Sequence, residues 1–510
     1  MIRGPRRTLV AAGLFAASLL PSPARAQSLE GRVTRLTLDN GMRFLVVRRG
    51  TAPVFSGILR FKAGGVDDQS GETGMAHLFE HMAFKGTSTI GTRDAAREGE
   101  VLDAMDAVVR DLHRELDRGE HADRARLDAL RARLQELIKR EQDLVVKDEF
   151  MQILTNNGAE GLNASTGEDL TTYVVSLPSN RLELWCLLES ARLRDPVLRE
   201  FYTERDVVME ERRYRIENQP QGRLYEQLLL AAFGAHPYRV PTVGWMSDLD
   251  RLTRPQAEAF HRTYYAPGNA VGALVGDVDK AQAEALLRKY FGGLTPGPPP
   301  PTVATAEPRQ IGEHRVSVEF DAEPQLLIAF HKPTWPDPDD PVFDVLDSVL
   351  TSGRTSRLFR RLVVDTRIAT SVYSFEAPGN RYPNLFVIGA EPRSPHTAAE
   401  VETAILAELQ RLREEPVTER EMQKVRNELE ASFLYPLRSN MGLASELSRY
   451  EILTGDWKGL TDFYAAVRQV TPARVLEVAK RAFVPSNRTV ATLVKPAAAA
   501  RPEGAAGKGR

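Results

Sequence analysis

The sequence repeats itself once. Thr203-Glu204-Arg205 recurs as Thr418-Glu419-Arg420 at an offset of 215, and Thr253…Pro267-x-Asn269 recurs as Thr471…Pro485-x-Asn487 at an offset of 218. Two nearly equal offsets at separate places mark two homologous halves, so the fold must be built from a duplicated unit. Between the halves, residues 293–310 are rich in Pro, Gly, Thr and Ala, with Pro298 to Pro301 in a row. That composition reads as an extended linker. The expected organisation is a first unit over 27–292, a linker over 293–312, a second unit over 313–495 and a disordered tail over 496–510.

The first unit begins with strands. Residues 33–38, 43–47 and 55–62 are rich in Val, Leu and Phe, and Asp39-Asn40-Gly41 is a turn signal between the first two. Strands are also expected at 163–166, 171–177 and 270–275, and helices at 182–194 and 203–217, with 221–265 largely helical. Residues 97–146 are different in kind. They are dense in Arg, Glu, Asp, Leu and Ala with helical spacing, and break near Gly119-Glu120-His121. They read as a charged helical hairpin, inserted over about 91–150, lying outside the sheet and mostly solvated, with His113 and His121 on its surface.

The chemistry is concentrated in His77-Leu78-Phe79-Glu80-His81. On a helix, residues four apart share a face, so both imidazoles can reach one metal ion. Glu80 reaches the same face. H-x-x-E-H is the inverse of H-E-x-x-H and marks the inverzincins, in which zinc activates water and a carboxylate takes the proton. Glu204 and Glu211 are seven apart, two helical turns, and also share a face. At an offset of 215, Glu211 falls on Arg426. The helix answering to the H-x-x-E-H helix, near 341–350, contains no His. The metal chemistry therefore belongs to the first half.

Composition excludes other classes. Residues 1–26 carry Arg3, Arg6 and Arg7, an apolar run from Leu9 to Leu20, and Ala24-Arg25-Ala26, the pattern of a secretory signal cleaved after Ala26. A periplasmic location is expected, by general or twin-arginine export. Removing four Arg from the 67 basic residues leaves 63 against 69 acidic ones, no pattern for nucleic acid. Cys186 is the only cysteine, so no intrachain disulfide forms. No other long apolar segment exists, so no stable membrane insertion is expected.

Three motifs together carry a resemblance: His77-x-x-Glu80-His81-Met82-x-Phe84-Lys85-Gly86-Thr87, Asn163-Ala164-x-Thr166, and Glu204-Arg205-x-Val207-Val208-x-x-Glu211. Over about 30–495, apart from the insertion, the chain resembles the insulinase or pitrilysin family (M16) of zinc peptidases, and in particular its two-domain bacterial members. The resemblance implies an α+β fold of two homologous α/β-sandwich halves, each a mostly antiparallel sheet packed with helices, forming a clamshell around peptides. It implies one Zn²⁺ per chain held by His77, His81 and Glu211, with Glu210 the alternative ligand. Glu204 supports the site, Glu80 is the general base, and Asn163, Ala164 and Phe84 meet a substrate that adds as a strand to a sheet edge. Active single-chain relatives carry an Arg and, seven residues later, a Tyr in the second half. Here those positions are Val363 and Thr370, with Arg361 and Tyr373 nearby on what would be another helical face. A heterodimer with a homologue supplying the Arg/Tyr pair is therefore expected. The alternative is a non-catalytic structural or peptide-binding subunit.

Overall fold

The computed structural model describes residues 29–50 and 52–496. The expected signal sequence and all but the first residue of the expected tail lie outside the described residues. Among those described, no helix is long and apolar enough to cross a membrane.

Two sheets organise the chain. The first contains β1 (Val33–Thr37), β2 (Arg43–Arg48), β3 (Val54–Phe61), β4 (Glu160–Thr166), β5 (Thr171–Pro178) and β6 (Ala270–Gly276), in the order β1-β2-β6-β3-β5-β4. The second contains β7 (His314–Glu319), β8 (Gln325–Lys332), β9 (Ala369–Ala377), β10 (Asn384–Pro392) and β11 (Arg488–Val494), in the order β7-β11-β8-β10-β9. Without β1 the two orders are the same. In each sheet one pair is parallel, β2 with β6 and β7 with β11, and the rest are antiparallel. Mixed α/β halves related by duplication are what the sequence repeat requires.

Register locates the insertion. Ile58 faces Ala273 and Val174 in the first sheet, as Leu327 faces Ala491 and Gly389 in the second. The offset is thus 269 at Ile58, 218 at Ala273 and 215 at Val174. About 54 residues between β3 and β5, the difference between 269 and 215, have no counterpart. They form the hairpin of helices Ala95–Leu116 and Arg124–Gln142, started by Asp94 and Asp123, whose carboxylates accept from Arg97 and Arg126 N–H. The expectation of a mostly solvated hairpin is corrected here. Val101, Met105, Val109, Leu134 and Leu137 are buried in the first half's core, because an apolar stripe runs inward under the charged exterior. His113 is half-buried, and His121 is exposed.

The halves are interlocked. Helix Pro220–Ala232, from the first half, lays Leu224, Leu228 and Leu229 on the second sheet, against Leu327, Ala329, Ala491 and Leu493. Helix Asn440–Thr454, from the second, lays Leu443, Ala444 and Leu447 on the first sheet, against Leu45, Val47, Ile58, Ala273 and Val275. Each sheet has one face on its own half's helices and the other on a helix from its partner half. A buried ion pair, Arg381 Nη1 to both Asp67 oxygens at 3.0 Å, joins the halves beside this contact. The connection at 293–312 is pinned as well: Glu307 accepts from the N–H groups of Gly234, Ala235 and His236.

Candidate metal centre

The motif helix, Met75–Met82, starts from Gly74 at φ 87°, a left-handed position where a side chain would also collide with Leu249 and the Val243 carbonyl. Asp68 caps it, accepting from Gly74 N–H at 2.8 Å and Ala76 N–H at 3.0 Å. Met75, Ala76, Leu78, Phe79 and Met82 are buried, fixing its rotation and turning His77 and His81 toward helix Phe201–Arg212. That glutamate helix runs into a wider turn at Arg213–Glu217, where Asn218 N–H donates to the Arg213 carbonyl at 2.8 Å.

Together the two helices bring one nitrogen of His77, one of His81 and one oxygen of Glu211 within 4.8 Å of one another. Glu211 Oε2 is 3.6 Å from each imidazole Nε2. Donors at about 2.0–2.1 Å from a tetrahedral zinc lie about 3.4 Å apart, so two imidazoles and a carboxylate so spaced fit that ion. His81 Nδ1 meets Glu204 Oε2 at 3.3 Å, the imidazole–carboxylate pairing that orients a metal-binding His. Burial depresses the His77 pKa to about 4, which keeps its ring neutral. Burial would lower His81 too, but hydrogen bonds to Glu204 and Glu211 overcome it and raise the ring to about 9. These carboxylates make the spot between the helices one that draws positive charge. Burial also raises Glu80, partly offset by a hydrogen bond with the Thr166 side chain.

Glu210, the alternative ligand, points to solvent and pairs with Arg213. Asn163 is exposed and Ala164 half-buried on β4, the edge strand of the sheet beside the motif helix. Phe84 is half-buried, with the Arg192 guanidinium 5.0 Å from its ring centre and Tyr173 beyond. Residues not foreseen from the sequence complete the site. Lys85 Nζ donates to Glu204 at 2.5 Å and Glu200 at 2.9 Å, and Arg215 holds Glu211 Oε1 at 2.9 Å. Arg215 is one helical turn after Glu211, a spacing that was visible in the sequence. A cavity of about 200 Å³ opens from His77, Glu211 and Thr166, walled by Ile216, Tyr225 and Leu229.

Residues 44–105 match the family model for insulinase (peptidase family M16), and residues 251–429 the model for the peptidase M16 inactive domain. The chain belongs to peptidase family M16. Among M16 relatives, it is 26% identical to the zinc protease PqqE of Helicobacter pylori, over 93% of this chain and 95% of that one. It is also similar to a solved protease structure from H. pylori, with a TM-score of 0.76 and 25% identity, covering 91% of this chain and all of that one. The fold is shared with the periplasmic protease PqqL of Escherichia coli at 16% identity and a TM-score of 0.67, where 91% of this chain covers 48% of that one.

Among the described residues, the second half, where the M16 inactive-domain model matches, has no comparable site. At the offset of 269, His77, Glu80 and His81 fall on Leu346, Val349 and Leu350, all buried in the second core. The helical phase expected to turn Arg361 and Tyr373 to another face does not apply to Thr370 or Tyr373. Val363 lies in the helical segment Phe359–Asp365 and packs on the second core, but Thr370 and Tyr373 lie on β9. Alternation along a strand, not helical phase, decides where those side chains face. Arg361 is turned to Glu408 at 3.4 Å.

Proposed function

We propose that this M16 chain is a zinc-dependent endopeptidase. The observation that carries the reading is the trio His77, His81 and Glu211, with ligand atoms within 4.8 Å of one another and two of its members, His77 and Glu211, lining a cavity. Zinc held there supplies Lewis acidity, lowering the pKa of water toward 7 and polarising a peptide carbonyl. Glu80 takes the proton from the attacking water and returns it to the leaving amine, and its burial-raised pKa suits both transfers. Glu204 fixes the His81 ring through Nδ1. The open edge of β4, with Asn163 and Ala164, receives an extended peptide as an added strand. Phe84, half-buried against Tyr173 on the neighbouring strand, is assigned to the same substrate edge.

The test compares wild type with His81→Ala and Glu80→Gln for bound zinc and peptide hydrolysis. His81→Ala is expected to lose most of its zinc. Glu80→Gln is expected to keep zinc and lose hydrolysis by at least about a hundredfold, since it removes a base and not a ligand. Near-normal turnover by Glu80→Gln would refute the assignment.

We further propose that the chain is exported, and that it is the metal-bearing member of a heterodimer. Val363 has no donor to offer, and the Thr370 hydroxyl is turned to Glu391. A homologue lacking H-x-x-E-H but bearing the Arg/Tyr pair is expected to stimulate hydrolysis by a hundredfold or more, the worth of one transition-state donor. Full activity of the isolated chain, unaffected by that homologue, would sink the pairing.

A further inference from the structure

The insertion reaches the metal centre through two buried carboxylates, one on each helix of the hairpin. Glu98, on the first, makes a two-oxygen pair with Arg199 at 2.8 and 3.1 Å. Arg199 then donates to the carbonyls of Lys85, Thr87 and Ile90, in the loop that follows the motif helix. Gly91 admits this guanidinium, since a Cβ there would lie 2.6 Å from Arg199 Nη1. Glu141, on the second helix, is fully buried, and its Oε1 accepts from Glu200 N–H at 2.6 Å.

Glu200 is the residue on which these contacts converge. Its backbone is left-handed at φ 57°, a conformation a Glu adopts only when its surroundings impose it, and it starts the helix that carries Glu204 and Glu211. Its side chain holds Lys85, Lys85 holds Glu204, and Glu204 holds His81 Nδ1. Arg199 and Glu200 are adjacent, so the hairpin grips the start of the glutamate helix and the end of the motif helix at the same place.

We propose that Glu141 and Glu98 are positioning residues for the metal site, and that the hairpin sets the spacing of His81 and Glu211. The inference rests on the zinc reading above. Orienting groups beyond the ligands typically change metal affinity by 10–100-fold. Glu141→Leu, which removes the acceptor from Glu200 N–H, is expected to weaken zinc binding about tenfold in competition with a chromophoric chelator. It is also expected to shift the visible absorption bands of the cobalt-substituted full chain. Glu141→Gln keeps an oxygen acceptor and is expected to restore both. Leu134→Ala, on the same hairpin, is expected to lower thermal stability while changing neither.

A second variant separates positioning from folding. Glu200→Gly suits the left-handed backbone but releases Lys85, so thermal stability is expected to hold while zinc affinity falls. Wild-type affinity and cobalt bands in Glu141→Leu would overturn this proposal and leave the zinc reading standing. Equal loss of affinity in Leu134→Ala would overturn it as well. A wild-type chain that binds no zinc would overturn both.

Discussion

Cutting out the hairpin asks whether it is an appendage. Its ends meet: Arg93 N–H donates to the Leu144 carbonyl at 2.8 Å and Val146 N–H to the Gly91 carbonyl at 2.9 Å, so a short Gly/Ser turn can replace residues 94–143 without strain. What the cut removes is substantial. Arg199 and Glu98 have side chains only 1% exposed, and a buried charge stripped of its partner costs about 3–5 kcal/mol. Five core side chains leave as well. Each is worth about 1.5–3 kcal/mol when buried, and if roughly half of that is lost by the residues left behind, the bared core costs about 4–7 kcal/mol. The total, about 7–12 kcal/mol, is as large as the 5–15 kcal/mol net stability typical of a protein. The excised chain is expected to aggregate or to lose the cooperative unfolding of its first half, followed by circular dichroism in urea. Shortening only the exposed tip, residues 118–121, is the control and is expected to be neutral. An excised chain that unfolds at the wild-type midpoint would show that the hairpin contributes nothing to the core.

Burial raises the Glu141 carboxyl to about 7, so the folded state holds its proton more tightly than the unfolded chain does. Its contribution is fully present below the ordinary Glu range and is lost as pH rises toward 7. Wild type is therefore expected to lose stability relative to Glu141→Gln between about pH 4.5 and 7 in denaturant titrations, and parallel curves would refute the shift. Leu228→Ala and Leu447→Ala, in the two exchanged helices, are each expected to cost about 2–5 kcal/mol while unfolding stays a single calorimetric transition. Two separated transitions would show that the halves are independent. Zinc at a hundredfold excess over its Kd is expected to stabilise the wild type by about 2.7 kcal/mol and to leave His81→Ala unchanged; an equal gain in both would place the ion elsewhere.

Much of the first sheet was legible because local signals there agree with tertiary ones. The helix expected at 182–194 is found at Leu182–Arg194, and the turn at Asp39-Asn40-Gly41 separates β1 from β2. The duplicated frame at 253 and 471 proved to be the start of equivalent helices, each opened by Thr and followed by Pro within the first turn. The spacings of His77, His81 and Glu211 put each on a helix face, but their meeting depends on packing between two helices 130 residues apart. What sequence spacing leaves hidden is long-range pairing. Glu98 and Arg199 are 101 residues apart, and Glu141 bonds a backbone N–H, which no side-chain pattern reveals. The same holds for the hairpin's burial. A sequence window counts its charges, but only the fold shows that Val101, Met105 and Leu137 turn inward.

The exchange of helices sets a timetable on synthesis. The second sheet is covered as soon as it forms, because its covering helix, Pro220–Ala232, precedes it in the chain. The first sheet has to wait. Its last strand ends at Gly276, and Asn440, where its cover begins, comes 164 residues later. At about 5–20 residues per second that is a delay of roughly 8–30 s, in which Leu45, Val47, Ile58, Ala273 and Val275 form an apolar face with nothing over it. A nascent chain in this state offers that face to a chaperone, and a chain truncated before residue 440 offers it permanently.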